Sequence, residues 1–449
     1  MNHQPDFGQP CADRYACPYC RERITAENVL FWHSVRTPYP DDRRGRFLRS
    51  HGMKVPDGYR FPRVYYRVRP GKNVAGTDAG GFPTLIRDIP SNAVLPGAPD
   101  EAPPNGSGSG PDVQPPESAG QLTITQRACP CCHCELPADF GVFPIYHVLL
   151  HGSRGSGKTA FLANLFRQIG PAMSGNRLGT LTPEGESAGF LRLLADAFEK
   201  NEPGNTFPEP DADNLLPVIC RFRSPEPGHD AFIVLHPFEN IHGRMTAPYE
   251  YEDCSALLLL VGPSTLLSDA SFEFVLAEAH RDRETSGLPD RYMGAPLDQF
   301  LMNTGEMCRT FCEKIRSVVC VATKTDLLQE ADPGCFGPDP EVLKDIGDSH
   351  CGTVSLPVLW QVEQELFSCM SKTHRFDMEK KLRNSFGGDI AVCFLGVSAS
   401  RDGNDRRVVE PLLLLLAQYG LVPVRDETPK EAAQKKNVRR FPFLRKRKA

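Results

Sequence analysis

The sequence has no apolar run long enough to cross a membrane. Its longest, residues 256–261 and 412–417, fall far short of the roughly 20 residues a bilayer span needs. Residues 1–10 hold no basic stretch followed by an apolar one, which argues against a secretory leader and for a cytoplasmic protein. With no oxidising compartment indicated, the 16 cysteines are expected as reduced thiols or metal ligands, not as a disulfide framework. No internal repeat is present. Nor is there an overall cationic excess, since the formal net charge is −5. That balance hides a division: residues 430–449 carry nine Lys or Arg against one Glu, leaving 42 basic against 55 acidic residues, net −13, elsewhere. A basic tail on an acidic body is either solvated and disordered or a contact for something anionic, nucleic acid or an acidic membrane. Phe441 and Phe443 among these cations suit either partner.

What remains is the composition of an ordinary globular chain, 449 residues with 40% hydrophobic and 24% charged, enough for two or three domains. Residues 98–120, APDEAPPNGSGSGPDVQPPESAG, have no apolar periodicity and are expected as a linker. The linker lies inside a first module, residues 1–143, which is rich in Arg, Pro and Gly and offers one strand at 63–69 and no long helix pattern. From about Ile145 short apolar runs alternate with amphipathic stretches, the pattern of a parallel α/β sheet. Strands are expected at 145–151, 216–223, 231–236, 256–261, 317–323 and 390–397. Helices are expected at 158–169, 188–200, 268–281, 296–315, 356–373 and 408–419. Together they make an α/β, doubly wound, mostly parallel sheet of about six strands over 144–425, followed by the basic tail, 426–449.

The strongest local signal is Gly152-Ser153-Arg154-Gly155-Ser156-Gly157-Lys158-Thr159. It fits G-x-x-x-x-G-K-[ST] between an expected strand and an expected helix. Glycines let the backbone N–H groups wrap a phosphate, and the helix points its positive end at the anion. Lys158 would neutralise the β- and γ-phosphates, and the Thr159 hydroxyl would ligate Mg²⁺. Such a loop does not name the base. Downstream, one apolar run ends in Thr323-Lys324-Thr325-Asp326 and a later one in Val397-Ser398-Ala399-Ser400, both where loops at strand carboxyl ends meet a ligand.

In this order the motifs resemble the Ras-like GTPases of the translation-factor class, whose guanine motif is [NT]-K-x-D followed by S-A-x. The resemblance implies GTP and GDP as ligands. The Asp326 carboxylate would accept guanine N1–H and N2–H₂, Lys324 would lie along the base, and the Ala399 amide would donate to O6. One family feature fails: D-x-x-G after the third strand reads His236-Pro237-Phe238-Glu239 here. An imidazole cannot replace a carboxylate around Mg²⁺, so hydrolysis is expected to be weak or lost unless Glu239 or Asp230 takes the acid's place. Thr206 is the chosen switch threonine, with Thr180 and Thr182 as competitors.

Cys17-Pro18-Tyr19-Cys20 and Cys129-Pro130-Cys131-Cys132 share the form C-P-x-C. Each offers two thiolates from a tight turn, and Cys17, Cys20, Cys129 and Cys132 together fit a closed structural Zn²⁺ site. Cys131 with Cys134, His133 or Cys11 could substitute. Cys220, Cys320 and Cys393 lie in apolar runs, where a thiol is a small hydrophobe. A split zinc-ribbon-like module ahead of a Ras-like domain resembles the bacterial double-GTPase type 2 group, which implies a guanine-nucleotide switch read by a protein effector in a defence or conflict system. Two alternatives stay open: a non-hydrolysing GTP-binding scaffold, and a nucleic-acid-associated P-loop ATPase with a zinc ribbon.

Overall fold

Apolar patterning gives this chain two kinds of sheet, one built on alternating residues and one on continuous aliphatic runs. A computed structural model describes residues 14–50 except 21 and 41, 60–67, 74–77, 83–86, 125–152 except 138 and 141, 156–200, 217–237, 253–262, and 314–425 except 332–333, 347–349, 351, 370–371, 387–389 and 400–405. The chain divides into two compact units: one runs to Ile145 and takes in Glu184–Glu186, and the other comprises Tyr146–Pro183 and the chain from Ser187.

The first unit opens with the hairpin β1 (Arg14–Ala16) and β2 (Arg23–Thr25), then β3 (Leu30–Pro40), α1 (Asp42–Ser50) and β4 (Arg60–Arg67). A short antiparallel pair, β5 (Val74–Thr77) and β6 (Pro83–Ile86), precedes the hairpin β7 (Gln126–Ala128) and β8 (Glu135–Leu136). The organiser is β3, which pairs antiparallel with β4 on one side and β7 on the other, in the order β4-β3-β7-β8. Leu30 lies opposite Ala128 and Trp32 opposite Gln126, so positions far apart in the chain sit side by side. Leu30, Trp32, Tyr65 and Ala128 bury together. The Trp32 indole N–H donates to the Arg127 carbonyl at 3.1 Å, which satisfies the one polar atom that this ring takes out of water. The strand expected at 63–69 lies at Arg60–Arg67. The Arg-rich α1 and the short strands β1, β2, β5, β6, β7 and β8 carry no apolar period of their own; the strands are defined by their pairing partners.

The second unit contains β9 (Ile145–Gly152), α2 (Lys158–Gly175), β10 (Thr180–Pro183), α3 (Glu186–Lys200), β11 (Val218–Arg223), β12 (Ala231–Pro237), β13 (Cys254–Val261) and β14 (Ser317–Ala322). After these come α4 (Thr325–Ala331), a 3₁₀ turn (Glu341–Leu343), β15 (Val354–Ser355), α5 (Leu356–Cys369), α6 (Lys372–Phe386), β16 (Ala391–Gly396), α7 (Glu410–Gln418) and β17 (Val424–Arg425). Seven strands form one sheet in the order β10-β11-β12-β9-β13-β14-β16. The pairs β9/β13, β13/β14 and β14/β16 are parallel, while β10/β11 and β11/β12 are antiparallel. Every residue of β12, β14 and β16 is buried, as a sheet covered on both faces requires.

The expected mixed α/β sheet is therefore present with one more strand. Thr180-Leu181-Thr182-Pro183 at the edge is too short and too exposed to read as an apolar run. The single helix expected at 356–373 is two, α5 and α6, and α2 continues past Ile169 with Pro171 inside it. Helix α4 was hidden in the polar motif that begins it. The helix expected at 268–281, that at 296–315 except for its last two residues, the linker 98–120 and the tail 426–449 lie outside the described residues. No described helix is long and apolar enough to cross a membrane.

Strand order also places a crevice. From β9 the chain builds β10, β11 and β12 on one side and then returns as β13 on the other. The reversal between β9 and β13 is a topological switch point, where the carboxyl ends of parallel strands leave room for a ligand.

Candidate functional site

Three segments meet at that crevice. The first follows β9. A Cβ on Gly152 would fall 2.5 Å from Ser156 Oγ and 2.7 Å from the Leu260 carbonyl oxygen, so only glycine lets the turn lie against β13. Gly157, at φ 83°, caps α2 in the left-handed region that glycine enters without steric cost. Lys158 follows in the first turn, 5% exposed, and its ammonium donates to the Gly152 carbonyl at 2.8 Å. The lysine thus spans the two ends of the loop. Thr159 is half-buried beside it. Ser153, Arg154 and Gly155 lie outside the described residues.

The second segment follows β14. Thr323 is buried, its N–H donates to the Val261 carbonyl at 2.9 Å, and its hydroxyl donates to the Ser156 carbonyl at 2.8 Å. This hydroxyl staples the Thr323–Asp326 segment to the turn between β9 and α2. Lys324 adopts φ 59°, a left-handed conformation that costs a non-glycine residue about 1–2 kcal/mol. Asp326 sits half-buried in the first turn of α4, where the positive end of the helix favours a carboxylate. The third segment follows β16. Val397 N–H donates to the Ala322 carbonyl at 2.8 Å, and the Thr325 N–H donates back to the Val397 carbonyl at 3.2 Å. Ser398 is buried and Ala399 half-buried next to it. Gly152, Ser156, Gly157, Lys158, Thr159, Thr323, Lys324, Asp326, Ser398 and Ala399 are therefore brought to one end of the sheet.

His236 is not among them. Its Nε2 lies 2.9 Å from Nδ1 of His147, with the rings stacked at a centroid distance of 5.2 Å. His147 precedes Gly152 by five residues of β9, about 16 Å of extended strand. His236 stands in the sequence where the family's Mg²⁺-supporting acid would be; here it is buried and pairs with His147 instead. Thr180 and Thr182 are exposed on β10, three strand positions and about 14 Å from β9. Asp230 caps the β11–β12 hairpin by accepting from the Ser224 N–H at 3.1 Å. Thr206 and Glu239 lie outside the described residues.

A separate centre lies in the first unit. The first C-P-x-C turn joins β1 to β2 and the second joins β7 to β8, with β3 between the hairpins in sequence and paired to β7. The ligand atoms of Cys17, Cys20, Cys129 and Cys132 all lie within 4.8 Å of one another. Cys17 Sγ is 3.9 Å from Cys132 Sγ and Cys20 Sγ is 3.5 Å from Cys129 Sγ. A tetrahedral Zn²⁺ with bonds of about 2.3 Å sets its sulfurs about 3.8 Å apart, whereas a disulfide needs about 2.05 Å. Burial pushes the Cys17 and Cys132 thiols up from their ordinary pKa. A divalent cation would offset that desolvation and hold the thiolates. The Cys129 N–H to Cys134 carbonyl bond at 3.0 Å closes the second turn, and the Cys131 N–H donates to Cys129 Sγ at 3.4 Å. Of the alternative donors, Cys131 is exposed and Cys134 buried; neither joins the cluster. The four-cysteine centre fits Zn²⁺, with no position left open for water. Cys220, Cys320 and Cys393 are buried in the sheet of the other unit.

No protein-family model matches the chain, and no curated protein is significantly similar to it. Among solved structures, the chain is similar to Sup35 complexed with GMPPNP, at 12% identity and a TM-score of 0.23, over 57% of this chain and 37% of that one. The chain spans little more than a third of the Sup35 chain, and a score of that size leaves the fold to stand on its own strand order and contacts.

Proposed function

We propose that the second unit binds a guanine nucleotide and acts as a switch, its bound GTP ordering nearby loops for a protein effector. The observation that carries this reading is the Thr323 hydroxyl bond to the Ser156 carbonyl at 2.8 Å, because it fixes a base-reading motif against a phosphate-wrapping one. In this reading the loop amides and Lys158 hold the phosphates. Asp326 accepts guanine N1–H and N2–H₂, a donor pair that adenine does not present. Lys324 lies along the base, and the Ala399 amide donates to O6. Mg²⁺ on Thr159 would neutralise phosphate charge. Competition between GTP and ATP for the full chain, with and without Mg²⁺, tests the proposal. Preference for GTP supports it, and equal affinity or preference for ATP overturns it.

Hydrolysis needs a group other than His236, and Glu239 is the acid we assign to it. Replacing His236 with Ala is expected to leave GTP affinity and single-turnover hydrolysis unchanged. It should lower stability by about 1–3 kcal/mol, the usual cost of depriving a buried polar group of its partner, as read by equilibrium denaturation. Glu239→Gln should instead slow Mg²⁺-dependent hydrolysis at unchanged stability. The reverse pattern would restore His236 to the reaction.

A further inference from the structure

Behind the base-side loops lies a buried ionic cluster that the nucleotide reading does not use. Arg407 is 1% exposed. Its Nε donates to the Glu341 carbonyl at 2.6 Å, one terminal nitrogen pairs with the Glu341 carboxylate, and the other pairs with Glu410. Glu410, fully buried in the first turn of α7, also accepts from His350 Nε2 at 3.0 Å. The Ser355 N–H donates to His350 Nδ1 at 3.0 Å, so the ring proton sits on Nε2 and points at Glu410.

A buried ion pair is weak evidence of stabilisation, because well-packed apolar residues of similar volume often do as well. What such a cluster can fix is geometry. Two arms of this one end on segments beside the base motif. Arg406, next in the chain, exchanges two backbone bonds with Ser398, at 3.1 and 2.8 Å, and so ties Arg407 to the segment that carries Ala399. Arg407 itself is held at φ 55°, a conformation that needs outside support in a non-glycine residue. On the other arm, Val342 follows Glu341 and presses on the end of β16: a Cβ at Gly396 would lie 2.5 Å from Val342 and 3.0 Å from Thr325. The cluster therefore grips the exit of the Ser398–Ala399 segment and the turn packed beside Thr325.

We infer that Arg407 is a positioning residue for base selectivity: clamped by Glu341 and Glu410, it sets the Ala399 loop against Asp326. The inference rests on the guanine reading given above. Among the described residues the Arg407 side chain bonds to Glu341 and Glu410 and not to the loop before α2, so its loss should change discrimination between bases and leave phosphate affinity alone.

The experiment compares GTP and ATP affinities of the full chain for the wild type, Arg407→Lys and Glu341→Gln, with thermal melting of each. Lysine keeps the charge but lacks the planar fork that pairs with two carboxylates. The expected result is a GTP-over-ATP preference reduced about tenfold in Arg407→Lys, ATP affinity within about twofold of wild type, and a smaller reduction in Glu341→Gln. Should Arg407→Lys fail to fold, Glu341→Gln, altered at the more exposed end of the cluster, carries the test. A preference equal to wild type in the folded variants overturns the inference alone, as does an equal loss of GTP and ATP affinity. A wild type without guanine preference overturns the base-recognition reading and this inference with it.

Discussion

Stripping the metal from the first unit is expected to unfold it. The four sulfurs converge from two hairpins, and in the same unit Leu30, Trp32, Tyr65 and Ala128 bury together. A closed four-thiolate site contributes folding free energy outright, about 10–16 kcal/mol for structural Zn²⁺ in zinc-finger peptides. Elemental analysis should therefore find one zinc per chain, and Cys129→Ser should lose it. Trp32 reports the consequence, since its ring sits in the core and its N–H is bonded to Arg127. In a Trp360→Phe background, chelation or Cys129→Ser should shift Trp32 emission to the red, while GTP binding by the second unit persists. Zinc-free protein with an unchanged Trp32 environment would contradict the structural role.

Lys158→Ala is expected to weaken nucleotide binding on the order of a hundredfold, the size of loss that follows when one partner of a buried charge pair is truncated. The ammonium is already placed: it crosses the loop to the Gly152 carbonyl at 2.8 Å and sits beside the first turn of α2, whose N–H groups have no partners within the helix. A polyphosphate entering the loop would exchange a neutral carbonyl for anionic oxygens. GTP and ATP should lose affinity alike, because this contact ignores the base. Isothermal titration checks it, and a variant that still binds at wild-type strength would move the phosphate site elsewhere.

Most of the second unit could be read from its letters. Runs such as Leu257–Leu260 and Val318–Val321 are continuous and aliphatic, and they became strands buried on both faces, within one or two residues of the expected ends. The strand, turn and helix around Gly152–Lys158 were also legible, because a glycine pattern followed by a lysine has few structural uses. The edge strand β10 was not, since Thr180 and Thr182 are exposed and the strand is defined by its partner β11. The pairing of His236 with His147 was not legible either. Register against β9 is set by cross-strand packing, which a single strand's sequence does not display, and His147 gave no local sign that it would meet His236. The four clustered cysteines were legible from their two C-P-x-C turns. What closes the distance between them, β3 lying beside β7, was not. The Arg407 cluster left no signal at all: Glu341, Arg407 and Glu410 look like ordinary surface charges until the fold buries them.

The central claim is that a carboxylate at the head of α4 reads guanine from across the loop that grips the phosphates. Asp326 is half-buried at that helix start, and the motif it belongs to is tied to Ser156 by Thr323. A hydrogen bond to a charged group contributes about 1.5–3 kcal/mol, and Asp326 would accept two. The most direct measurement is the GTP and ATP affinity of wild type and Asp326→Ala, taken side by side. The account predicts that wild type prefers GTP, and that the variant loses about a hundredfold or more in GTP affinity while its ATP affinity stays the same. A guanine preference that survives the substitution would contradict it.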